Sequence, residues 1–161
     1  MDPEKYTFRM SDKFEDAVWV NESLHEHRMS RTGEEYRKTT TVHKPEQATF
    51  LVCDENGERR GGLVYYWLND PRHIFIIYFF LEESLRGHGV GRKIMEQFIQ
   101  WAREHGAEYI DVESNTYQAP GFYLKVGYHI TGETSEPYPN YPHNIHYAFR
   151  MYLNGEGADK K

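Results

Sequence analysis

Cysteine is nearly absent from this chain of 161 residues, which contains Cys53 alone. A single cysteine excludes an internal disulfide and any metal site built from cysteines. Basic residues are also in the minority: 19 lysines and arginines stand against 25 aspartates and glutamates, giving a formal net charge of −6. General nucleic-acid binders are normally basic, so we expect no nucleic-acid partner.

Long apolar runs are absent as well. No stretch approaches the roughly 20 apolar residues that a membrane-spanning helix needs. The N-terminal segment MDPEKYTFRM has no apolar stretch that would direct export. We therefore expect a cytoplasmic protein without a membrane partner. The length suits one domain with a core of its own, predicted at residues 1–153. Glycine and charge dominate Asn154–Lys161, which predicts a disordered tail.

Apolar periodicity predicts a sheet with helices packed against it. Ile74–Leu81 is apolar at every position, which is typical of a central strand buried on both faces. Gly91–His105 has apolar residues at helical spacing. A helix capped by Ser11 or Asp12 is predicted near the start of the chain, and the polar segment Glu26–Lys44 stays unassigned. Further elements are predicted as strands at Tyr6–Met10, Thr49–Cys53, Gly62–Leu68, Tyr109–Glu113, Tyr128–Thr134 and Ile145–Leu153, and a short helix at Ala119–Lys125. The fold class is α+β of the three-layer type, with a mixed, mostly antiparallel sheet flanked by helices.

A glycine-rich loop joins the central strand to the helix that follows it. Its residues are Arg86-Gly87-His88-Gly89-Val90-Gly91. Glycines allow close approach of the backbone, and the free N–H groups of a first helical turn bind phosphate or pyrophosphate. Arg92 and Lys93 occupy that turn, where the helix dipole disfavours cations unless an anion is bound. The loop is not a P-loop, because Gly-Lys-Ser/Thr is missing, and its glycine spacing differs from the dinucleotide fingerprint.

The loop resembles the pyrophosphate loop of the GNAT acyltransferases, whose pattern Arg/Gln-x-x-Gly-x-Gly is met by Arg86, Gly89 and Gly91. Downstream, Phe122-Tyr123-Leu124-Lys125-Val126-Gly127-Tyr128 resembles the family's second motif. The segment Gln118-Ala119-Pro120-Gly121-Phe122-Tyr123 is similar to a small bacterial branch of that family. The resemblance covers Ala48–Leu153 and implies the GNAT fold, with acetyl-CoA as acyl donor. It further implies a primary amine of a small molecule or a protein as acceptor, and a homodimer is compatible with it.

The resemblance also implies roles for single residues. The pantetheine arm is expected beside Phe79, Phe80 and Leu81. The pyrophosphate is expected on the backbone of Gly87, His88, Gly89, Val90, Gly91 and Arg92, with the Arg86 and Arg92 side chains in contact. Tyr123 matches the family tyrosine that protonates the departing thiolate as a general acid. Thr116 replaces a family asparagine and is a candidate contact for the pantetheine.

The proton acceptor is where this chain departs from the family pattern, because Ile74–Leu81 contains no acidic residue. His73 at the start of that strand and Glu113 on the next are candidates, as is Glu82; a water chain to a backbone carbonyl would also serve. No metal is expected, since the histidine pairs in His25–His27 and His143–His146 lack further zinc ligands.

Two other functions stay open on the sequence. The missing strand carboxylate favours a non-catalytic acyl-CoA sensor or scaffold, whereas Tyr123 argues against it. A regulator that binds ATP through the same loop is the weaker alternative, because the Lys-Ser/Thr pair of nucleotide loops is missing.

Overall fold

The computed structural model describes residues 5–69, 72–118 and 120–153; the predicted disordered tail, Asn154–Lys161, lies outside these residues. Seven strands form one sheet in the order β1-β2-β3-β4-β5-β7-β6. The strands are β1 Thr7–Ser11, β2 Gln47–Cys53, β3 Arg59–Asn69, β4 Arg72–Leu81, β5 Tyr109–Asn115, β6 His129–Ser135 and β7 Ile145–Tyr152. The helices are α1 Phe14–Thr32, α2 Val90–Glu104 and α3 Gly121–Val126. Neighbouring strands are antiparallel except for the parallel pair β4–β5, which confirms the predicted mixed, mostly antiparallel sheet.

The helices lie on opposite faces of the sheet. On one face, Ala17 and Val20 of α1 pack against Leu51 of β2 and Val64 of β3. On the other face, α2 and α3 cover the larger core. Side chains alternate between the faces of a strand, so the two layers use alternate residues of the same strands. No helix in the described ranges is long and apolar enough to cross a membrane.

Helix α2 forms where the sequence predicts it, within one residue at each end. Its buried positions recur every three or four residues, and Phe98 is fully buried at their centre. The Phe98 ring lies 5.0 Å from that of Tyr65 and 6.1 Å from that of Phe50. Burying one such side chain stabilises the fold by about 1.5–3 kcal/mol. The core therefore fixes α2, and with it the loop that precedes the helix.

The start and the length of α1 differ from the prediction. Lys13 is the N-cap residue, and the helix begins at Phe14. Ser11 does not cap it, because its hydroxyl donates to the Asp16 carboxylate at 2.5 Å. The helix continues to Thr32 and thus takes in the first part of the polar segment that the sequence left unassigned.

Burial of β4 on both faces was predicted but holds only in part. Ile74 and Ile76 are buried, and so is Leu81 at the end, whereas Ile77–Phe80 is half-buried. A bulge opposite Val64 and Tyr65 leaves Ile77 as an extra residue in the ladder to β3. Strand β5 pairs only with Ile74–Ile76, so the two central strands separate beyond that point. The backbone edge of the second half of β4 therefore borders an opening in the sheet.

Candidate active site

The opening between β4 and β5 organises the site. The edge of β4 from Ile77 to Leu81 that faces away from β3 is not bonded to β5. Backbone N–H and C=O groups need partners, and an extended ligand with amide groups supplies them in the manner of an added strand. A ligand arm of this kind fits the second half of β4.

The glycine-rich loop lies at the end of this opening. Gly87 and Gly89 have φ values of 79° and 83°, in the left-handed region that residues with a side chain adopt at a cost. Gly89 is also the N-cap of α2, so no side chain occupies the first N–H groups of a 15-residue helix. A Cβ on Gly91 would lie 3.4 Å from Leu81 Cδ2 and 3.7 Å from the Phe122 ring. The loop therefore presents a glycine-capped helix end, which fits a pyrophosphate.

Basic side chains surround the loop without covering it. Arg86 turns away toward α1, donating from Nε to the Leu81 carbonyl at 3.1 Å, and its Nη1 lies 3.3 Å from His27 Nε2. Burial, together with the charge of Arg86, lowers the pKa of His27, so its neutral ring can accept from Arg86. Arg92 is exposed, with Nε 3.7 Å from Glu96 Oε1. The arginines that the sequence assigned to the pyrophosphate thus lie on either side of the loop.

Tyr123 is buried on α3, beside the end of β4. Its ring lies 5.2 Å from that of Phe149 and 5.6 Å from that of Tyr128. The neighbouring Phe122 ring lies 6.0 Å from that of Phe79 on β4, so α3 borders the opening. Burial raises the pKa of the Tyr123 phenol, which therefore keeps its proton at neutral pH and is able to donate it.

A cleft of about 410 Å³ occupies the α1 side of the same opening. Its walls come from α1, the middle of β4, the end of β5 and the loop between β6 and β7. Three titratable side chains meet in it: His146 Nε2 lies 2.6 Å from Glu113 Oε1, and His146 Nδ1 lies 3.3 Å from Glu136 Oε2. Glu113 is 46% exposed and Glu136 is 48% exposed, so both carboxylates can reach a ligand in the cleft. Arg28 also lines the cleft but is paired with Glu34 at 3.1 Å, so the two carboxylates are the groups that suit the cleft to a cationic ligand.

The other predicted site residues lie outside this cluster. His73 lies near the start of β4, stacked on Tyr109 at 4.4 Å between ring centroids. Four residues of strand, about 13 Å, separate it from Ile77. The Thr116 hydroxyl is held by the backbone of Ile145, at 3.0 Å from its nitrogen and 3.3 Å from its oxygen. Glu82 is paired with Arg60 at 3.2 Å, beyond the end of β4.

Residues 12–128 match the sequence profile described as the acetyltransferase (GNAT) family. The chain belongs to this family. Blasticidin-S acetyltransferase of Streptomyces morookaense is 35% identical over 99 residues, covering 58% of this chain and 65% of that enzyme. The chain thus spans just under two thirds of that relative's length. Peptidyl-lysine N-acetyltransferase YjaB of Escherichia coli strain K12 is 26% identical over 130 residues, covering 76% of this chain and 82% of YjaB.

The GNAT fold also relates the chain to solved structures. Spermidine N-acetyltransferase of Vibrio cholerae, solved in complex with CoA and spermine, superposes with a TM-score of 0.70. The match covers 93% of this chain and 96% of that one at 14% sequence identity, so the likeness is one of fold. The family assignment from the two sequence motifs is therefore confirmed.

Proposed function

We propose that this chain is an N-acetyltransferase that moves the acetyl group of acetyl-CoA to a primary amine of a small molecule or a protein. The observation that carries the proposal is the opening between β4 and β5. It has the glycine-capped end of α2 at one side and the carboxylates of the cleft at the other. Donor and acceptor sites thus meet at the second half of β4, as direct transfer requires.

The donor site draws on the residues that the sequence motifs single out. Backbone groups of Phe79–Leu81 pair with the pantetheine amides, and the N–H groups of Gly87–Arg92 take the pyrophosphate. The guanidinium groups of Arg86 and Arg92 add side-chain contacts, for which Arg86 leaves the Leu81 carbonyl. Thr116 is the least supported contact, since its hydroxyl is already held by Ile145.

Bound acetyl-CoA supplies a thioester carbonyl that a neutral amine can attack. An alkylamine has a pKa near ~10.4, so the chain has to accept a proton before attack. We assign this step to Glu113, because it lies in the cleft whereas His73 lies outside it. Backbone N–H groups around Leu81 donate to the oxyanion. Tyr123 protonates the thiolate, for which it has a proton available at neutral pH because burial raises the pKa of its phenol.

The acceptor is proposed to carry a positive charge. Glu113 and Glu136 both line the cleft, and the aromatic ring of Tyr138 forms part of its wall. The blasticidin-S, peptidyl-lysine and spermidine acetyltransferases act on amines of very different size, which supports an amine without choosing one.

Release of CoA thiol with a panel of amines tests the proposal. The panel contains polyamines, aminoglycosides, amino acids and lysine peptides. We expect amine-dependent release by the wild-type chain and a kcat lowered about 100-fold or more in Glu113→Gln. Glu133→Gln is the matched control, since Glu133 lies on the exposed edge strand β6. A rise in melting temperature with acetyl-CoA but no release with any amine would instead establish the non-catalytic sensor.

Three further expectations remain proposals. The exposed strand β6 lies at an edge of the sheet and is available for pairing in a homodimer, which light scattering tests. A cytoplasmic location, expected from the sequence, is tested by cell fractionation. The segment Gln118–Tyr123 supports membership of the small bacterial branch, which a phylogeny of the family tests.

A further inference from the structure

The His146 ring is held from both sides by oxygen atoms in the cleft. Its Nε2 lies 2.6 Å from Glu113 Oε1. Its Nδ1 lies 3.2 Å from Asn115 Oδ1 and 3.3 Å from Glu136 Oε2. The second motif and the glycine loop do not include His146, and no step described so far uses it. A ring held in this way has a defined orientation and a defined tautomer.

The tautomer follows from a chain of hydrogen bonds that starts at a backbone donor. The Asn115 N–H donates to Gln118 Oε1 at 3.2 Å, which fixes that atom as an oxygen. The Asn115 amide must then direct its Nδ2 to the same atom, at 3.0 Å. Its Oδ1 is left to accept from Asn144 Nδ2 at 3.0 Å and from His146. An amide oxygen only accepts, so His146 Nδ1 carries a hydrogen.

The orientation of Asn144 supports the same reading. Its Nδ2 also donates to the Glu136 backbone carbonyl at 2.9 Å, which can only accept. Asn144 is 2% exposed and Asn115 is 8% exposed, so the amide end of the network is sheltered from water. With one hydrogen fixed on Nδ1, Nε2 faces Glu113 Oε1 across 2.6 Å, so a further hydrogen lies between these two atoms and can move from one to the other.

The strand order places the three side chains in a row. Glu113 is on β5 beside the opening, His146 is on the neighbouring β7, and Glu136 follows the edge strand β6. Asn115 and His146 are paired in the β5–β7 ladder, so both side chains leave the sheet on one face. When Nε2 is protonated, the Glu136 carboxylate beside Nδ1 offsets the charge of the imidazolium.

We propose that His146 acts through Glu113 as the final proton acceptor of the cleft. The inference rests on the proposed acetyl transfer and adds to it a positioning residue that the family motifs do not contain. As the substrate ammonium loses a proton, an O–H bond forms at the second oxygen of Glu113. The hydrogen shared between Glu113 Oε1 and His146 Nε2 then moves onto Nε2, so an O–H bond breaks there and an N–H bond forms. Asn115 fixes the tautomer, and Glu136 stabilises the resulting positive charge. The proton returns to water through Glu113 after the product has left.

A double-mutant cycle on Glu113 and His146 tests the proposal with the amine that gives the fastest CoA release. The variants are Glu113→Gln, His146→Gln and the double variant, with Glu133→Gln as the surface-charge control. We expect each single variant to lose about 100-fold in kcat, with the KM for acetyl-CoA unchanged. The double variant should match Glu113→Gln within about threefold, because His146 has nothing left to act through.

Two results would overturn the inference. One is a multiplied loss of about 10,000-fold in the double variant, which would make the two residues independent. The other is a lower KM for the amine in His146→Gln with kcat unchanged. That result would mean that His146 only competes with the substrate cation for Glu113. If His146→Gln does not fold, Glu136→Gln replaces it: kcat should fall about two- to fivefold, and an unchanged kcat counts against the proposal. Failure of the wild-type chain with every amine would refute the acetyl transfer itself.

Discussion

Replacing Tyr123 by phenylalanine removes one hydroxyl group and leaves the ring in place. The ring packs at 5.2 Å from Phe149, 5.3 Å from Phe122 and 5.6 Å from Tyr128, measured between centroids. These contacts do not involve the hydroxyl, so the variant should fold as the wild type does. We expect the free energy of unfolding to change by less than about 1 kcal/mol. Any large change in turnover then belongs to the hydroxyl.

The expected loss in turnover follows from the proton that the hydroxyl supplies. Loss of a positioned general acid lowers a rate by about 10²–10⁴-fold. At 1.36 kcal/mol per tenfold, this corresponds to about 2.7–5.4 kcal/mol of transition-state stabilisation. Affinity for acetyl-CoA should stay the same, because the hydroxyl acts on the leaving sulfur only. The loss should therefore appear in kcat and not in the dissociation constant of acetyl-CoA.

Tyr128→Phe provides the matched control. Tyr128 is also buried, and its hydroxyl lies 3.4 Å from Met95 Sδ, a weak partner. The same atom is removed from a neighbouring buried ring to which the proposed reaction assigns no step. Steady-state CoA release and acetyl-CoA titration calorimetry on both variants decide the matter. Equal kcat values in Tyr123→Phe and the wild type would refute the assignment, and so would equal losses in the two variants.

The pH dependence of the wild type adds a second check on Tyr123. A general acid must be protonated, so its contribution is lost as the pH rises through its pKa. Because burial raises the pKa of Tyr123 above the ordinary value of 10.0, that loss should begin only above pH 10. A kcat profile measured from pH 7 to 10 should show no descending limb from this group. A descending limb in this range that is present in the wild type and missing in Tyr123→Phe would contradict the raised pKa of Tyr123.

Two stability predictions concern α1. Burial and the Arg86 charge lower the pKa of His27 below 6.5, so the folded state favours the neutral ring. The free energy of unfolding should therefore decrease as the pH falls below 6.5, where the unfolded chain takes up the proton more readily. Urea unfolding at several pH values should show that the free energy of unfolding decreases less with falling pH in His27→Gln than in the wild type. An equally steep decrease in the two proteins would contradict the prediction. The second prediction concerns Gly33, which follows α1 and has a φ of 79°; a Cβ there would lie 2.8 Å from the Asn140 side chain. Left-handed strain alone costs about 1–2 kcal/mol, so Gly33→Ala should lower the free energy of unfolding by more than that. Gly57→Ala is the control, with a φ of 77° and nothing within 4 Å, and equal losses would show that the Asn140 contact is unimportant.

Local sequence patterns were sufficient to predict the helix and the glycine loop that form the proposed donor site. Helix α2 and its glycine loop depend on residues that are close together in the sequence. The spacing of the apolar residues, the positions of the glycines and the residues at the helix end are all visible there. The apolar run of β4 was equally informative about the strand and misleading about its burial. An apolar strand that lines a cleft has the same composition as one that is buried on both faces. The divergence of β4 from β5 depends on the bulge at Ile77 and on strand pairing, neither of which the run itself encodes.

The acceptor half could not be read from the sequence in the same way. Glu113 and His146 are 33 positions apart, and their contact depends on the pairing of β5 with β7. A shift of that register by one residue would place His146 on the opposite face of the sheet. From the sequence, Glu113 was therefore one candidate among several, and His146 was noted only within a histidine pair and within the loop Glu136–Tyr147 expected on the acceptor side.

The absence of an acidic residue from β4 has a physical explanation in this arrangement. The half-buried residues Ile77–Phe80 line the opening with apolar groups, where a lone carboxylate would pay for desolvation. The carboxylates come instead from β5 and from the segment after β6, where about half of each side chain remains exposed to water. The segment that carries Glu136 also forms a wall of the acceptor cleft. Changes in that segment should therefore alter the acceptor and the proton transfer together, while the donor loop stays as it is.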